Sequence, residues 1–362
     1  MIKICSVGDI MLCDSPLYAS VGLGSKYHGI QNDIFKKCES TFLAADLLIG
    51  NFEGVIHKPK HSNLKETQMS CPAESADLLK KAGFTVLNMA NNHCLQHGSA
   101  EFFQTERIFE EKGIATVGRK GKRPYRVEIK GTRFVFISLS LLPERYQPDD
   151  IVYENNIETA FEQIKAFTDK DDFVVVCIHW GNEFATYPFS RQVKLAHRFV
   201  DAGVNLVLGH HSHVYQGIES YNNGLILYSQ GNFVSDMTQS DCRETAIAMI
   251  NVDKDGKGAY KLSYEIMPYH INGQCIPEPS DGAWFQDRQE ALDRVIMENV
   301  SDEDYWHMVN TQHNKCSKQF KNTFKKHFFQ YKLSVGIAMI VEAVYRKIVK
   351  MPRSNQFATE KK

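Results

Sequence analysis

Side chains that can bind metal ions follow the apolar runs of this 362-residue sequence. Eight carboxylates, amides and imidazoles stand at or just beyond the carboxyl end of a predicted strand: Asp9, Glu53, Asn92, His93, His179, Glu183, His211 and His213. Carboxylate oxygens, amide oxygens and neutral imidazoles are ligands of divalent metals. Two such ions a few ångströms apart can activate a water molecule and hold a phosphoryl oxygen. The pattern therefore predicts a hydrolytic metal site.

The segment GHHSH is a strong signal for such a site. If the backbone is extended there, His211 and His213 point to the same side, because alternate residues of a strand share a face. The alternative is that these imidazoles are solvated and bind no metal. His179 directly follows an apolar run, where an imidazole needs either a metal or a hydrogen-bond partner. A core histidine satisfied by a hydrogen bond is the competing interpretation for His179.

Three further positions have distinct chemical options. Asp9 follows Gly8 and closes the first predicted strand, so it is either a ligand or a turn aspartate. Glu183 either binds metal or hydrogen-bonds a ligand imidazole from behind. The segment ANNH places Asn92 and His93 side by side, and two neighbouring side chains cannot easily reach one atom. We expect Asn92 to be a ligand and His93 to protonate a leaving group or stabilise negative charge.

Alternating strands and helices must position these side chains. Apolar runs such as IKICSVGDIML and DFVVVCIHWGNE are rich in β-branched residues and predict buried strands. Stretches with helical spacing lie between several of them, and three of the four clearest, including AESADLLKKAG, end in or precede glycine. This order predicts an α/β layered domain, in which ligands bind beyond the carboxyl ends of the strands.

Composition and charge restrict the partners and the compartment. Lysine and arginine number 42 against 43 acidic residues, so the charge balance does not predict nucleic-acid binding. The nine cysteines are an odd number without a CxxC pair, which favours buried thiols over a disulfide framework or a zinc site. The opening MIKICSVGDIML lacks the features of a secretory signal. We therefore expect a reducing, cytoplasmic location.

The sequence changes character after about Tyr269, where a loop precedes a charged, aromatic segment. We place one domain at 1–270 and a mostly helical C-terminal region at 271–362. The stretch KLSVGIAMIVEAVYRKIVK is apolar for only roughly a dozen residues before Glu342, too short for a membrane span. A helix packed on the main domain is the leading interpretation. A basic-flanked helix in the membrane interface is the alternative, and it would make the protein peripherally membrane-associated.

Six motifs, taken in order, resemble those of one known family: VGDIML, NFEG, NMANNH with Gly98, HWGNEF with Pro188 and Gln192, GHHSHVYQGIE and YSQGNF. From about Ile2 to Asp236 the chain resembles the CapA family, the poly-γ-glutamate capsule-biosynthesis proteins. That family is similar to the calcineurin-like metallophosphoesterases. The resemblance therefore implies a four-layer αββα sandwich, here with a C-terminal helical extension.

The resemblance also implies roles for individual residues. The metal ligands implied are Asp9, Glu53 as the bridging carboxylate, Asn92, His179, His211 and His213. The catalytic residues implied are His93, as the general acid, and the ligand Asp9. His210 matches a substrate contact. The cofactor implied is one or two divalent ions, namely manganese, iron or zinc.

Several positions depart from the family pattern. Met11 stands where phosphoesterases of the wider group normally carry a histidine, so one metal is expected to be weakly held or absent. Gln96 stands where the family usually has an aspartate, which removes a carboxylate from the site. Ser212 and Gln230 replace a proline and a leucine, and Gln230 is either a substrate contact or a local variation. Asn232 is expected to support its loop, and contact between its side chain and the site is the alternative.

Three functions remain open at this point. The leading hypothesis is hydrolysis of a phosphoester, in a polymer precursor, a lipid-linked intermediate or a small molecule. The second keeps the metal but attacks an amide or acyl bond of a γ-glutamyl substrate, since the same chemistry serves carbonyl groups. The third is a degenerate site kept as a binding or assembly module of a polymer-synthesis complex, which Met11 and Gln96 favour.

Overall fold

The computed structural model describes residues 1–61, 63–256, 258–282, 285–298 and 300–349. The strands are β1 (Ile2–Ile10), β2 (Leu47–Phe52), β3 (Val55–Ile56), β4 (Ser70–Cys71), β5 (Val86–Asn88), β6 (Ala115–Val117), β7 (Tyr125–Ile129), β8 (Thr132–Ser140), β9 (Phe173–His179), β10 (Leu206–His210), β11 (Ile218–Tyr221), β12 (Gly224–Leu227), β13 (Asn232–Val234), β14 (Glu244–Lys254), β15 (Tyr260–Ile271) and β16 (Pro277–Pro279). The helices are α1 (Leu23–Ile30), α2 (Glu39–Leu43), α3 (Leu64–Thr67), α4 (Ser75–Ala82), α5 (Ser99–Glu111), α6 (Ile157–Phe167), α7 (Ser190–Asp201), α8 (Ser240–Arg243), α9 (Phe285–Met297), α10 (Asp302–His327) and α11 (Leu333–Val349).

The first sheet has the strand order β16-β15-β14-β1-β2-β5-β6, and β13 pairs with the end of β1. β1, β2, β5 and β6 are parallel, whereas β14, β15 and β16 extend the sheet in antiparallel pairs. β16 forms within a segment whose sequence predicts only a loop. Because β1 and β2 are parallel neighbours, their carboxyl ends bring Asp9 and Glu53 to one edge of the sheet.

The second sheet has the order β11-β12-β10-β9-β8-β7. Its four central strands are parallel, and the edge strands β7 and β11 are antiparallel. β9 ends at His179 and β10 ends at His210, and these two residues are register partners. The histidines thus leave the second sheet together at its carboxyl edge.

The two sheets pack face to face, and helices cover both outer faces. The layer between the sheets is apolar and takes side chains from both, among them Ile4, Ile49, Phe134, Val175 and Leu208. Helices α1, α2, α4 and α5 pack on the outer face of the first sheet. Helices α6 and α7 pack on the outer face of the second. The chain is therefore a four-layer αββα sandwich, as the family resemblance implies.

A crossing segment, residues 228–231, connects β12 of the second sheet to β13 of the first. It passes so close to both sheets that only glycine fits beneath it. A Cβ atom on Gly8 of β1 would lie 2.0 Å from the carbonyl oxygen of Gly231, and one on Gly209 of β10 would lie 2.0 Å from that of Tyr228. Each glycine immediately precedes a site residue, Asp9 or His210. The two close approaches therefore fix both sheets relative to each other beside the site.

The C-terminal helices pack against the sandwich. Tyr305 of α10 packs with Phe189 and Ala185 in one apolar cluster. Val335 of α11 packs in another with Tyr18. Within the described ranges, the structure contains no helix long and apolar enough to cross a membrane. Residues 350–362 of the predicted C-terminal region lie outside the described residues.

Candidate metal centre

Asp9 is the central carboxylate of the site. β1 places it between β2 and β13, with Asn51 and Asn232 as its register partners. Its side chain is fully buried. Asn51 Nδ2 donates to Asp9 Oδ1 at 2.8 Å, and the backbone N–H of His211 donates to Oδ2 at 3.4 Å. These contacts hold the carboxylate in one orientation.

Two imidazoles face Asp9 and set its charge. His210 Nδ1 lies 3.1 Å from Oδ1, and His213 Nδ1 lies 3.4 Å from Oδ2. Burial by itself would raise the pKa of Asp9, but His210 and His213 outweigh burial and hold this pKa well below its usual range. Asp9 is therefore ionised at neutral pH, as a metal ligand must be.

Glu53 is a buried carboxylate without a hydrogen bond from any described residue to either oxygen. It directly follows β2 and is 0% exposed. Its Oε1 lies 3.8 Å from His93 Nε2 and 3.8 Å from His213 Nε2. Burial raises the pKa of Glu53 well above its usual range, and Asp9 adds to the rise while His213 opposes it. A buried carboxylate without a hydrogen bond is costly to ionise, and a cation beside it would stabilise the ionised form.

The turn after β10 corrects one sequence expectation. His211 and His213 are not in an extended segment, because both have left-handed backbone, with φ of 95° and 59°. This conformation costs about 1–2 kcal/mol for a residue with a side chain. The turn nonetheless brings the two rings to a centroid distance of 5.8 Å. The pair therefore converges through a strained turn and not through strand alternation.

His213 completes a cluster that can hold a metal ion. Its Nδ1 lies 3.0 Å from Asn232 Oδ1, which orients the ring. Burial opposes its protonation, but Glu53 and Asp9 outweigh burial and raise the pKa of His213 to about 10. The ring therefore carries a proton at neutral pH, which a metal ion would have to displace on binding. One ligand atom from each of Asp9, Glu53 and His213 lies within 4.8 Å of the others. Two carboxylates, one of them without a hydrogen bond, and an imidazole fit the donor preferences of a divalent cation.

A second group of donors lies where the second sheet meets this cluster. His179 Nε2 is 2.9 Å from Asn92 Oδ1, and its Nδ1 is 3.4 Å from Asn51 Nδ2. The His179 and His211 rings are 4.8 Å apart. His211 Nδ1 has no hydrogen bond with a described residue. Burial lowers the pKa of both histidines well below the usual value, which keeps both imidazoles neutral and able to bind a metal.

His93 is anchored by the residue that replaces the family aspartate. His93 Nδ1 lies 2.7 Å from Gln96 Oε1, so the amide oxygen accepts the Nδ1 proton. Nε2 is then the atom that faces Glu53. Burial lowers the pKa of His93 to about 4. Gln96 therefore positions the ring without adding the negative charge that an aspartate would bring.

The sequence predicts Glu183 as a metal ligand or as a hydrogen-bond partner of a ligand imidazole, and the family resemblance implies His210 as a substrate contact. Glu183 follows β9, is half-buried, and its charge adds to the rise in the pKa of Glu53. His210 is buried, and neither of its ring nitrogens has an aligned hydrogen bond with a described residue. Phe184, next to Glu183, has its ring 6.4 Å from that of His213 and 5.7 Å from that of His313 in α10. The long C-terminal helix thus packs behind the site.

The other departures from the family pattern have structural explanations. Met11 is buried in the outer core of the first sheet. Gln230 is buried too, and its Oε1 accepts a 2.6 Å hydrogen bond from Ser6 Oγ of β1. Ser212 Oγ donates to the Val214 carbonyl oxygen at 2.8 Å, which stabilises the turn that carries the histidines.

Sequence reasoning missed a row of buried asparagines beneath the site. Asn51 contacts both Asp9 and His179, and its Oδ1 accepts from Asn88 Nδ2 at 2.9 Å. Ser138 of the second sheet donates to Asn88. The available signal was a polar residue inside the otherwise apolar strand LLIGNF, since a buried amide needs partners.

Comparison with known proteins supplies the family. The model of the family described as "Bacterial capsule synthesis protein PGA_cap" matches residues 3–237. The chain belongs to this family. The match begins with β1 and extends past β13, so it includes every residue of the candidate site.

The relatives found include proteins of capsule and polymer synthesis. The PGA biosynthesis protein CapA of Bacillus subtilis (strain 168) is 32% identical over 262 residues, which cover 68% of this chain and 67% of that protein. The capsule biosynthesis protein CapA of Bacillus anthracis is 28% identical over 301 residues, which cover 78% and 70%. A probable polyglutamine synthesis accessory protein of Mycobacterium tuberculosis is 26% identical over 236 residues, which cover 58% and 62%. The resemblance given by the motifs is confirmed.

Solved structures give a looser likeness. A phosphatase from Mycoplasma pneumoniae aligns with a TM-score of 0.47 at 14% identity, covering 79% of this chain and 97% of that one. A putative 5'-nucleotidase from Staphylococcus aureus aligns with a TM-score of 0.45 at 14% identity, covering 86% and 58%. Likeness of this extent assigns no activity.

Proposed function

We propose that this member of the capsule synthesis family is a metal-dependent phosphoester hydrolase that acts on a precursor or intermediate of a surface polymer. The observation that carries the proposal is Glu53, a carboxylate that is 0% exposed and lacks a hydrogen bond from the described residues. It lies beside Asp9 and His213 at the carboxyl edge of the sheets. A buried carboxylate whose oxygens have no hydrogen bond is suited to binding a cation, because a cation stabilises its ionised form.

Asp9, Glu53 and His213 would hold one divalent cation, and a second would take its donors from Asn92, His179 and His211. The mixture of oxygen and imidazole donors suits manganese, iron or zinc. Such a cation supplies Lewis-acid polarisation of a phosphoryl oxygen and of water. Asn51 fixes the orientation of Asp9, and Asn232 fixes that of His213.

His93 would handle the proton that the departing oxygen receives. Its Nδ1 is held by Gln96, so Nε2 is the atom that exchanges protons at the site. In the absence of substrate, burial keeps the ring neutral. An anionic substrate beside the ring favours the imidazolium form, because an opposite charge stabilises it. His93 would thus gain its proton as substrate binds and give it up at Nε2.

Arg145 would bind the negative charge of the substrate. It is exposed on the loop after β8. Burial and the imidazole of His213 lower the pKa of His211, and the positive charge of Arg145 adds to this effect. Burial also lowers the pKa of His93, and Arg145 adds to that effect too. The ring of the next residue, Tyr146, lies 6.2 Å from that of His93. An arginine so placed suits a phosphate or a carboxylate.

Hydrolysis of a γ-glutamyl amide at the same site is the second candidate. The observation that favours it is the family itself, since one relative is named a PGA biosynthesis protein and another a polyglutamine synthesis accessory protein. The donor set does not distinguish the two reactions, because a Lewis acid polarises carbonyl and phosphoryl oxygens alike. Only assays with both classes of substrate distinguish the two reactions.

The test is elemental analysis of protein purified without chelators, followed by assays with added manganese. A generic phosphomonoester, a phosphodiester and a γ-glutamyl peptide are compared side by side. We expect one or two metal ions per chain and turnover of a phosphoester, with both reduced strongly in Glu53→Gln. His270→Ala, an exposed change on β15, is the matched control and should alter neither.

The outcomes of these assays distinguish phosphoester hydrolysis, amide hydrolysis and a non-catalytic binding module. Turnover of the peptide alone, with metal bound, would replace phosphoester chemistry by amide chemistry. Protein that binds no metal and turns over neither class of substrate would support a binding or assembly module. Metal content unchanged in Glu53→Gln would contradict the role given to that carboxylate.

A further inference from the structure

Helix α11 has an apolar face that the fold leaves exposed. Leu333 is 80% exposed and Val341 is 61% exposed. The exposed residues define what we name the outer face of α11: Leu333, Ile337, Ile340, Val341 and Val344. Because successive helical residues are rotated by about 100°, these five fall within an arc of about 100°. An apolar stripe of this width is what an amphipathic helix normally buries.

The opposite side of α11 is already packed on the sandwich. Val335 is fully buried, and it forms an apolar cluster with Tyr18, Val21 and Leu64. Tyr331, just before the helix, donates from its hydroxyl to the Leu17 carbonyl oxygen at 2.8 Å. These contacts set the rotation of α11 about its axis. The outer face is therefore exposed because of how the helix docks, and folding of the described chain does not cover it.

Positive charge is concentrated in the sequence around the outer face, and Glu342 is the one acidic residue in the sequence of α11. Residues 315–341 contain six lysines and no acidic residue. Residues 325–362 contain nine lysines and arginines against two acidic residues, whereas the whole chain is balanced at 42 against 43. Lys325, Lys326 and Lys332, which precede or begin the helix region, are exposed. Phe329, between them, is 95% exposed.

We propose that the outer face of α11 binds the surface of an anionic lipid membrane, with the helix lying in the interface. Four observations agree on this partner: an apolar arc, an exposed aromatic residue at one end, exposed lysines beside it, and the absence of acidic residues from 315–341. That combination is typical of helices that lie in the headgroup region. Each lysine near an anionic surface adds attraction that salt weakens. A protein partner would explain the apolar arc but would not require the one-sided charge.

The test uses the full chain and vesicles of two compositions, pure phosphatidylcholine and phosphatidylcholine with phosphatidylglycerol. We expect co-sedimentation with the anionic vesicles, reduced about tenfold or more on neutral vesicles or in 1 M salt. Failure to bind anionic vesicles at low salt would overturn the proposal. So would self-association through the outer face without vesicle binding.

Variants separate the face from the rest of the surface. Leu333→Asp combined with Ile337→Asp should weaken vesicle binding about tenfold or more, since two apolar side chains are lost and two negative charges are introduced. Lys325→Glu combined with Lys326→Glu should weaken it through charge alone. Leu43→Asp, at a residue 78% exposed in α2, is the matched control and should bind as the parent does. Equal binding by all three variants would overturn the proposal, and an unchanged melting temperature establishes that each is folded.

Discussion

Buried atoms that lack a hydrogen bond occur in several parts of the described chain, and some of them belong to residues of the candidate site. Both carboxylate oxygens of Glu53, both ring nitrogens of His210 and Nδ1 of His211 have none with the described residues. Buried polar groups are nearly always paired in folded proteins. His210 Nδ1 lies 3.1 Å from Asp9 Oδ1, so an ion pair satisfies it in part. The Glu53 oxygens and His211 Nδ1 lie among the candidate ligands, where the proposed cation would pair with them.

Arg145 is the residue proposed to bind the negative charge of the substrate. Arg145→Ala should raise KM for an anionic substrate about tenfold while changing kcat less, because in the proposed role the side chain would contact the substrate and not the reacting atoms. Steady-state kinetics measure both constants. Arg107→Ala, an exposed arginine on α5, is the matched control. A fall in kcat at constant KM would contradict a binding role.

The left-handed backbone at His213 predicts which of two variants is more stable, and this prediction does not depend on bound metal. With φ at 59°, glycine is favoured over alanine, so His213→Gly should be more stable than His213→Ala by about 1 kcal/mol. Urea unfolding in the presence of a chelator measures the difference. At His197, inside α7, the order should reverse, because glycine weakens a helix interior by about 1 kcal/mol. The same order at both positions would contradict the strained turn.

The buried carboxyl group of Asp236 is expected to make the free energy of unfolding depend on pH. Burial and the nearby Asp14 raise the pKa of Asp236 from 3.8 to about 7. Between those pH values the folded protein keeps a proton that the unfolded chain has released, so this group lowers the free energy of unfolding as pH rises. Relative to Asp236→Asn, the parent should lose up to about 4 kcal/mol from pH 4 to pH 8. Chemical unfolding at several pH values measures this.

The control for that experiment is Asp253→Asn, since Asp253 has a side chain that is 64% exposed. The difference between the parent and this variant should stay nearly constant across the range. A constant difference for Asp236→Asn as well would show that the carboxyl is not protonated in the folded protein.

At the scale of elements, the crossing segment is the part least tolerant of change. Gly8→Ala would put a Cβ atom 2.0 Å from the Gly231 carbonyl oxygen, so strand β1 or the segment must move. We expect a loss of about 3 kcal/mol or more in the free energy of unfolding, together with weaker metal binding. Gly29→Ala in α1, where a Cβ atom meets nothing within 4 Å, should be neutral or stabilising. Thermal unfolding and metal analysis of both variants provide the comparison.

The positions of the strand ends were predictable because hydrophobic runs show where strands are buried, whereas those runs do not give the order of the strands within a sheet. β1, β2, β9 and β10 end where the sequence indicates, and the polar residues after them meet at one edge. The turn at His211 and His213 was not predictable, since left-handed backbone is uncommon for residues other than glycine and depends on surrounding contacts. Asn51 was missed for a related reason. Its importance lies in partners from two other strands, which no local pattern reveals.

At the scale of the whole molecule, α11 combines both sequence interpretations of the C-terminal segment. One side packs on the sandwich, as the leading interpretation predicts. The other side has the exposed apolar arc that the alternative requires. Hydrophobicity along the sequence shows that a helix is amphipathic, but the rotation at which it docks depends on the surface it meets. Tyr18, Val21 and Leu64 provide that surface, and they come from segments far away in sequence.

The nine cysteines, all free and all buried, make the folded chain resistant to thiol reagents. Burial raises the pKa of Cys38 and Cys275 to about 12, and the thiolate is the form that reacts. Labelling therefore requires opening of the structure. Cys5 lies in the first sheet, Cys177 in the second and Cys316 in α10, so the order in which these three are modified reports whether the sandwich opens as one unit or releases its C-terminal helices first.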